Sequence, residues 1–195
     1  MNKEILLHPI RWLDQSRVAD FIAPLLLRIY LVPVFWMAGM SKIDHFDSTV
    51  QWFGNPDWGL GLPFPTLMAG LATGTELVGA VCLAFGLLTR LMCIPMMVTM
   101  LVAAFAVHWE NGWLAIAESG SPASMNLKTT LNQLQDSNPE LYGQLVAYGK
   151  PVVLNNGIEF AATYFLMLLV LFFTGAGRWV SLDYWIHRRF RPEMV

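Results

Sequence analysis

The sequence predicts an all-α fold: a transmembrane four-helix bundle with both termini in the cytoplasm. Apolar residues make up 55% of the 195 residues and charged residues only 13%, whereas roughly a quarter of the residues in soluble domains are charged. Four apolar segments come close to the ~20 residues that an α-helix needs to cross a bilayer. Basic residues gather at one end of these segments. Together these observations favour an integral membrane protein.

The predicted spans are residues 21–43, 66–88, 91–109 and 157–174. So few residues separate the second span from the third that the two should form an antiparallel hairpin, with Arg90 in its turn as a structural charge. Residues 1–20 lack an apolar core followed by a small-residue cleavage site, so we expect the first span itself to direct insertion. We predict a single domain over residues 1–195, with a periplasmic insert at 110–156.

Basic residues predict the orientation of the spans. Cytoplasmic flanks of membrane helices carry an excess of Lys and Arg. The loops assigned to the outside hold only Lys128 and Lys150, with Lys42 at a boundary. The other basic residues outside the spans fall on the opposite side: Lys3, Arg11, Arg17, Arg90, Arg178, Arg188, Arg189 and Arg191. We therefore predict a multi-pass protein of the bacterial inner membrane, surrounded by the lipid bilayer, with cytoplasmic termini.

The first outer loop, residues 44–65, is rich in aromatic side chains. The aromatic residues are Phe46, Trp52, Phe53, Trp58 and Phe64. Amphipathic rings suit the headgroup level of a membrane, which indicates an interfacial belt. A lid over a pocket is the alternative interpretation.

The second outer loop, residues 110–156, is long for a compact bundle and should be structured. Three of its leucines recur at helical spacing: Leu127, Leu131 and Leu134. Asn138 followed by Pro139 is typical of a helix start, and Gly149 is a candidate stop. We predict two short amphipathic helices here, which would pack on the outer face or bind a protein partner.

Charged side chains inside the spans mark the candidate site. Counted from the cytoplasmic ends at 1.5 Å per residue, their depths are ~10 Å for Arg28, ~18 Å for Glu76, ~24 Å for Glu159, ~27 Å for His108 and ~30 Å for Lys42. A charge at the bilayer centre costs about 2.5–3.5 kcal/mol on insertion scales, so such groups are usually paired and functional. We expect the Arg28 side chain to reach Glu76. Lys42 would meet Glu159 near the outer boundary, where His108 would line the same polar cavity.

Two interpretations of this polar centre stay open. The Arg28–Glu76 pair could be only a structural clasp between the first two spans, which Gly70 and Gly74 would support by allowing close approach of the helices. Alternatively, the clasp also lines a substrate or quinone site. Glu76 would then be a proton carrier, with Arg28 or Lys42 on a quinone carbonyl.

Four sulfur-containing residues share one face of the third span: Cys93, Met96, Met97 and Met100. Thiolate and thioether sulfur suit copper(I), so these residues are candidate metal ligands. Methionine also fills irregular apolar gaps, and core packing is the interpretation that we favour.

Several other classes of function are disfavoured. The net charge is −2 and no basic cluster suits a phosphate backbone, so we expect no nucleic-acid partner. The sequence contains no Gly-rich phosphate loop, CxxC, HExxH or nucleophile elbow, which argues against hydrolases and most autonomous redox enzymes. His45 and His108 are both peripheral, so we do not expect a haem with two histidine ligands.

Four segments resemble the pattern of the DoxX family: Arg28-Ile29, Gly39-Met40-Ser41-Lys42, Thr75-Glu76-Leu77-Val78-Gly79 and Gly86-Leu87-Leu88-Thr89-Arg90. They occur in order within residues 25–105. The segment Gly177–Asp183 is similar to the ending of a DoxX subgroup. The long second outer loop resembles that of a subgroup encoded beside iron enzymes that modify metal-binding peptides.

The resemblance implies a four-helix inner-membrane protein with a redox role, in which Arg28, Lys42, Glu76 and Arg90 are the motif residues. Family members include the small subunit of a thiosulfate:quinone oxidoreductase and a partner in an oxidative-stress membrane complex. We therefore expect a subunit of a quinone-linked oxidoreductase system. The alternative is a non-enzymatic membrane anchor or copper-stress protein that docks a periplasmic or membrane partner.

Overall fold

The structure, a computed structural model, describes residues 16–190. Over this range it contains eight α-helices and no β-strand, and an isolated bridge joins Ile116 to Leu154. The helices are α1 (Ile22–Asp44), α2 (Phe46–Gly54), α3 (Pro65–Phe85), α4 (Thr89–Val102), α5 (Pro122–Ser137), α6 (Pro139–Val146), α7 (Glu159–Thr174) and α8 (Leu182–Phe190). The all-α prediction is confirmed. Three basic residues used to predict the orientation lie outside the described residues: Lys3, Arg11 and Arg191.

Three helices within residues 16–190 are long and apolar enough to cross a membrane. They are α1, α3 and the continuous helix Thr89–Val107, in which α4 passes into a π-helical turn at Ala103–Val107. The fourth predicted span forms α7, which is apolar but has only 16 residues. At 1.5 Å per residue α7 is about 24 Å long, shorter than the ~30 Å hydrocarbon core of a bilayer.

Helix α3 ends at Phe85, three residues before the predicted end of the second span. Gly86 adopts the left-handed conformation with φ 62°, and its amide donates to the Leu83 carbonyl. The Leu87 amide donates to the Cys82 carbonyl at 2.9 Å. This is the capping pattern by which a glycine satisfies the last carbonyls of a helix, so the turn to α4 begins at Gly86.

The described chain forms two compact units: the residues up to Met100 together with those from Tyr164 onward, and Leu101–Thr163. The first unit has one apolar core to which four helices contribute. Its central residues are Leu31 and Phe35 of α1, Ala80 and Leu83 of α3, Cys93 and Met96 of α4, and Leu168 and Leu171 of α7. Each of these residues is at most 1% exposed, so this core holds the four helices together.

The second unit contains the two helices that were predicted in the long loop. Ser121 caps α5, and Asn138 caps α6 by accepting from the Leu141 amide at 3.1 Å. Three leucines of α5 are half-buried while most of their neighbours are exposed: Leu127, Leu131 and Leu134. The prediction of two short helices is confirmed, together with the Asn138-Pro139 start of the second.

Two further helices were not predicted. Helix α2 lies in the aromatic first loop and packs against α3. Its Phe53 is 7% exposed, whereas Trp58 and Phe64 beyond it are 59% and 74% exposed. Helix α8 follows α7 after the segment 175–181. Both helices have nine residues, too few for a sustained pattern of hydrophobic residues to stand out in the sequence.

Candidate functional site

A buried ion pair joins α1 to α3. Lys42 Nζ donates to both carboxylate oxygens of Glu76, at 2.8 Å each. The Glu76 side chain is 4% exposed and the Lys42 side chain 26% exposed. Because so little water reaches this carboxylate, compensation of its charge depends on Lys42.

The backbones of α1 and α3 approach closely beside this pair. A Cβ on Gly39 would lie 2.7 Å from the Leu77 side chain and 3.4 Å from Glu76 Cβ. Side chains on a helix lean toward its N-terminus. Lys42 therefore reaches back along α1 toward the level of Gly39, where Glu76 lies on the opposing helix. Gly39 thus positions the two helices for the ion pair.

The pair retains capacity to bind a further polar group. An ammonium has three N–H donors, and Lys42 uses two of them on Glu76. Over residues 16–190, no acceptor other than Glu76 bonds to Lys42 Nζ. The partly exposed ammonium can therefore donate to one further acceptor beside the Glu76 carboxylate.

Arg28 forms a second buried polar cluster at the other end of α1. Its Nε donates to the Leu83 carbonyl at 2.7 Å, and its Nη2 to the Ala84 carbonyl at 3.1 Å. Its Nη1 donates to the Ala176 and Val180 carbonyls at 2.7 and 3.2 Å. Arg28 is 2% exposed. It bonds to two carbonyls in the last turn of α3, of which that of Leu83 also accepts from the Gly86 amide.

Gly86 lies against this guanidinium. A Cβ on Gly86 would lie 2.8 Å from Arg28 Cζ and 2.6 Å from Ser181 Cβ. A side chain at this position would therefore collide with two groups, in addition to the cost of the left-handed backbone. Glycine is required here for Arg28 to bond to the end of α3.

Asp183 closes the same cluster from α8. Its carboxylate accepts from the Leu88 amide at 2.7 Å and the Thr89 amide at 2.9 Å, at the start of α4. Its own amide donates to the Gly86 carbonyl at 2.9 Å. A carboxylate at a helix N-terminus is a favourable cap. In the sequence, Asp183 stands out only as part of the family-like ending Gly177–Asp183. Its role as a cap of α4 is therefore not predicted from the sequence.

The pairing of charges expected from the sequence is corrected by these contacts. Arg28 bonds to backbone carbonyls instead of Glu76, and Glu76 bonds to Lys42. The reason is the lean of helical side chains toward the N-terminus of their helix. The N-terminus of α1 lies beside the C-terminus of α3, so Arg28 leans away from Glu76 and Lys42 leans toward it.

Gly70 and Gly74 were expected to allow close approach of the first two spans. A Cβ on either would meet no atom of another described segment within 4 Å, so no helix approaches α3 closely at these positions.

His108 and Glu159 are engaged with the backbone of the second unit. His108 Nδ1 donates to the Asn156 carbonyl at 2.8 Å. Glu159 Oε2 accepts from the Ala115 amide at 3.0 Å. Lys42 pairs with Glu76, so the expected Lys42–Glu159 contact is replaced. That His108 and Glu159 line a substrate pocket stays a prediction.

The sulfur-containing face of α4 contributes to the core. Cys93 and Met96 are 0% exposed, and a Cβ on Gly79 would lie 2.5 Å from Met96 Sδ. Met97 and Met100 are partly buried against the same core. These contacts support the packing interpretation, and a copper site on this face stays a prediction.

Arg90 contacts the end of α7. Its Nη2 donates to the Phe173 carbonyl at 3.1 Å, and a Cβ on Gly175 would lie 3.3 Å from its Nε. A cation beside the last carbonyls of a helix is favourable. The structural role of Arg90 stays a prediction, which this contact supports.

Comparison with known proteins shows the family. The DoxX family model matches residues 23–109. A protein of Bacillus subtilis (strain 168) named "Putative oxidoreductase CatD" is 33% identical over 97 residues, which cover 50% of this chain and 68% of that protein. The chain belongs to the DoxX family. No solved structure matches this DoxX protein. The matched residues include Arg28, the Lys42–Glu76 pair and the turn at Gly86, whereas α5, α6 and α8 lie beyond them.

Proposed function

We propose that this DoxX membrane protein is a subunit of a quinone-linked oxidoreductase system, in which Lys42 and Glu76 bind the quinone headgroup. The observation that carries the proposal is the ion pair itself, a 4%-exposed carboxylate beside an ammonium with an unused donor. The name of the related CatD protein includes an oxidoreductase function, which supports a redox role for the family members that share this region.

A purely structural role does not require charges at this position. Replacing a buried ion pair by apolar residues of similar volume is often neutral or stabilising, and ionisable groups within membrane spans usually mark substrate or proton pathways. Arg28 differs, because its hydrogen bonds join the C-terminal end of α3 to the segment 175–181. Lys42 and Glu76 would therefore bind the quinone headgroup, and Arg28 would stabilise the fold.

The two side chains would have different tasks. Lys42 would donate its remaining hydrogen bond to a quinone carbonyl oxygen, which fixes the headgroup at the membrane level of the pair. Glu76 would exchange protons with the same oxygen. The electrons would come from a partner protein, so this chain supplies binding and proton transfer.

The proposal places four helices in a bundle across the inner membrane with both termini in the cytoplasm. The excess of basic residues at the α3–α4 turn and after α7 supports this orientation. Lys42, at the end of α1, would then lie toward the periplasmic boundary. Protons could reach Glu76 from that side.

A photoreactive quinone tests the site. The full-length protein in proteoliposomes would be illuminated with an azido-quinone, digested, and mapped by mass spectrometry. We expect labelled peptides from the end of α1 and the middle of α3, and loss of the label when excess unmodified quinone competes. Glu76→Gln should reduce this labelling, and Gly70→Ala in the same helix should not. Labelling spread over all lipid-facing peptides, without competition, would contradict the proposal.

A second candidate function is a non-enzymatic anchor for a partner protein. The observation that favours it is a row of exposed apolar residues on and after α6. Leu141 is 48% exposed, Leu145 51% and Tyr148 103%, at i, i+4 and i+7. A photo-crosslinking amino acid at 141 and another at 145 should capture the same protein in cells, while one at Lys128 should not. Absence of a shared product would remove this candidate.

A further inference from the structure

Helix α8 is fixed at the end of the first unit where α3 stops and α4 starts. The Asp183 carboxylate caps α4 through the Leu88 and Thr89 amides, and the Asp183 amide bonds to the Gly86 carbonyl. Arg28 holds the preceding segment through the Ala176 and Val180 carbonyls. The first turn of α8 therefore lies level with the ends of two apolar helices that are long enough to cross a membrane.

The side of α8 that faces away from these contacts is apolar along much of its length. Leu182, Ile186 and Phe190, spaced by four residues, are 45%, 44% and 77% exposed. Trp185 beside them is 50% exposed. Three apolar residues and a tryptophan on one short exposed face are typical of a helix that lies in a membrane interface.

Two arginines belong to this surface: Arg188 lies at the edge of the apolar face, and Arg189, three residues after Ile186, lies on the face itself. Arg188 and Arg189 are exposed, and Arg188 Cζ lies 5.4 Å from the centre of the Trp185 ring. Asp183 is the acidic residue of α8, and its carboxylate is engaged by the start of α4. The exposed face of the described helix therefore carries positive charge without a neighbouring carboxylate on the same helix to compensate it.

Aromatic residues continue this surface toward the membrane helices. Trp179 is 49% exposed and packs against Phe21, with ring centres 5.6 Å apart. Trp185 Nε1 donates to the Trp179 carbonyl at 2.9 Å, which joins α8 to the segment before it. This surface therefore continues to the residue that precedes α1. Tryptophan is enriched where membrane helices cross the headgroup layer.

We propose that α8 lies in the headgroup layer of the membrane and binds anionic phospholipids through Arg188 and Arg189. Leu182, Ile186 and Phe190 would enter the boundary between headgroups and acyl chains. Long arginine side chains extend from such a position to lipid phosphates. Positive charge on the helix and negative charge on the lipid make the two surfaces complementary. This inference does not depend on the proposed quinone site.

Native mass spectrometry of the full-length protein tests this inference. The protein would be released from nanodiscs of equimolar phosphatidylcholine and phosphatidylglycerol, and the retained lipids counted. We expect wild type to retain phosphatidylglycerol preferentially, and R188A/R189A to lose at least half of it. Since salt screens exposed charges, retention should also fall when the nanodiscs are prepared at higher salt.

Two control variants distinguish lipid binding by α8 from an effect of net charge and from a defect in folding. K128A/K150A removes the same number of positive charges elsewhere in the chain and should retain phosphatidylglycerol like wild type. R188K/R189K preserves the charge and should restore most of the retention, which separates lipid binding from a defect in folding. Equal phosphatidylglycerol retention by wild type and R188A/R189A would overturn the inference. An equal loss in K128A/K150A would also overturn it, because net charge alone would then explain the binding.

Discussion

Lys42 Nζ lies 2.8 Å from both carboxylate oxygens of Glu76, although the two residues are 34 positions apart in the sequence. The contact joins the end of α1 to the middle of α3, beside the close approach at Gly39. Among the described residues, it leaves one N–H donor of the Lys42 ammonium without an acceptor. This pair is the part of the molecule from which the proposed function follows.

Substitutions of Lys42 and Glu76 should have non-additive effects on the free energy of unfolding. Lys42→Met leaves an uncompensated carboxylate and should lower the free energy of unfolding by about 3–5 kcal/mol. The double variant Lys42→Met/Glu76→Met should lose much less, since neither charge then remains. Unfolding of the purified variants in detergent, followed by circular dichroism, measures both. A loss in the double variant as large as that of Lys42→Met would contradict the coupling of the two side chains.

Arg28→Lys should destabilise the protein even though the charge is retained. A lysine has no planar fork that could replace four bonds to carbonyls in two separate segments. Leaving buried carbonyls unsatisfied should cost at least about 2 kcal/mol. Arg90→Lys is the matched control, since Arg90 donates an exposed hydrogen bond to the Phe173 carbonyl, at 3.1 Å. This substitution should change the free energy of unfolding by no more than about 0.5 kcal/mol. Equal unfolding curves for the two variants would contradict the role given to Arg28.

Gly86→Ala should be among the most damaging glycine substitutions. It combines a left-handed backbone with contacts of 2.6 and 2.8 Å to Ser181 and Arg28, for an expected loss of more than about 2 kcal/mol. Gly70→Ala, in the open part of α3, should be neutral or stabilise by up to about 1 kcal/mol. Thermal unfolding compares the two variants. A stable Gly86→Ala protein would mean that the cluster around Arg28 is loosely packed.

The apolar helices and the charged residues could be predicted from the sequence, because a bilayer requires long apolar segments and makes buried charges conspicuous. The Asn138 cap of α6 could also be predicted, since a capping side chain accepts from a backbone amide only three residues further along the chain. The end of α3 was misplaced by three residues because hydropathy continues through Leu87 and Leu88. The helix is interrupted there by backbone conformation, since Gly86 and Leu88 both have positive φ angles, of 62° and 50°.

The partners of the charges could not be predicted from depth alone. Depth along the membrane placed Arg28 within reach of Glu76, but the direction in which each side chain leaves its helix decides the contact. The carbonyls at the end of α3 compete for Arg28, and no sequence motif marks a backbone carbonyl as the partner of a buried arginine. Asp183 was missed for a similar reason, since its partners are the backbone amides of Leu88 and Thr89.

The sulfur-containing residues of α4 should behave as core residues. Met97→Leu/Met100→Leu conserves volume and should change the free energy of unfolding by less than about 1.5 kcal/mol. We expect copper content, measured by elemental mass spectrometry after growth with added copper, to be the same as in wild type. A stoichiometric copper ion that disappears in the double variant would instead support a metal site on this face.

Native mass spectrometry can show whether Lys42 and Glu76 bind a quinone. Wild type, Glu76→Gln and Gly70→Ala would be released from nanodiscs that contain the quinone of the native membrane. We expect one retained quinone on wild type and on Gly70→Ala, and a strongly reduced fraction on correctly folded Glu76→Gln. Equal retention by Glu76→Gln and wild type, or a wild-type protein without any quinone, would contradict the assignment of Lys42 and Glu76 as the quinone site.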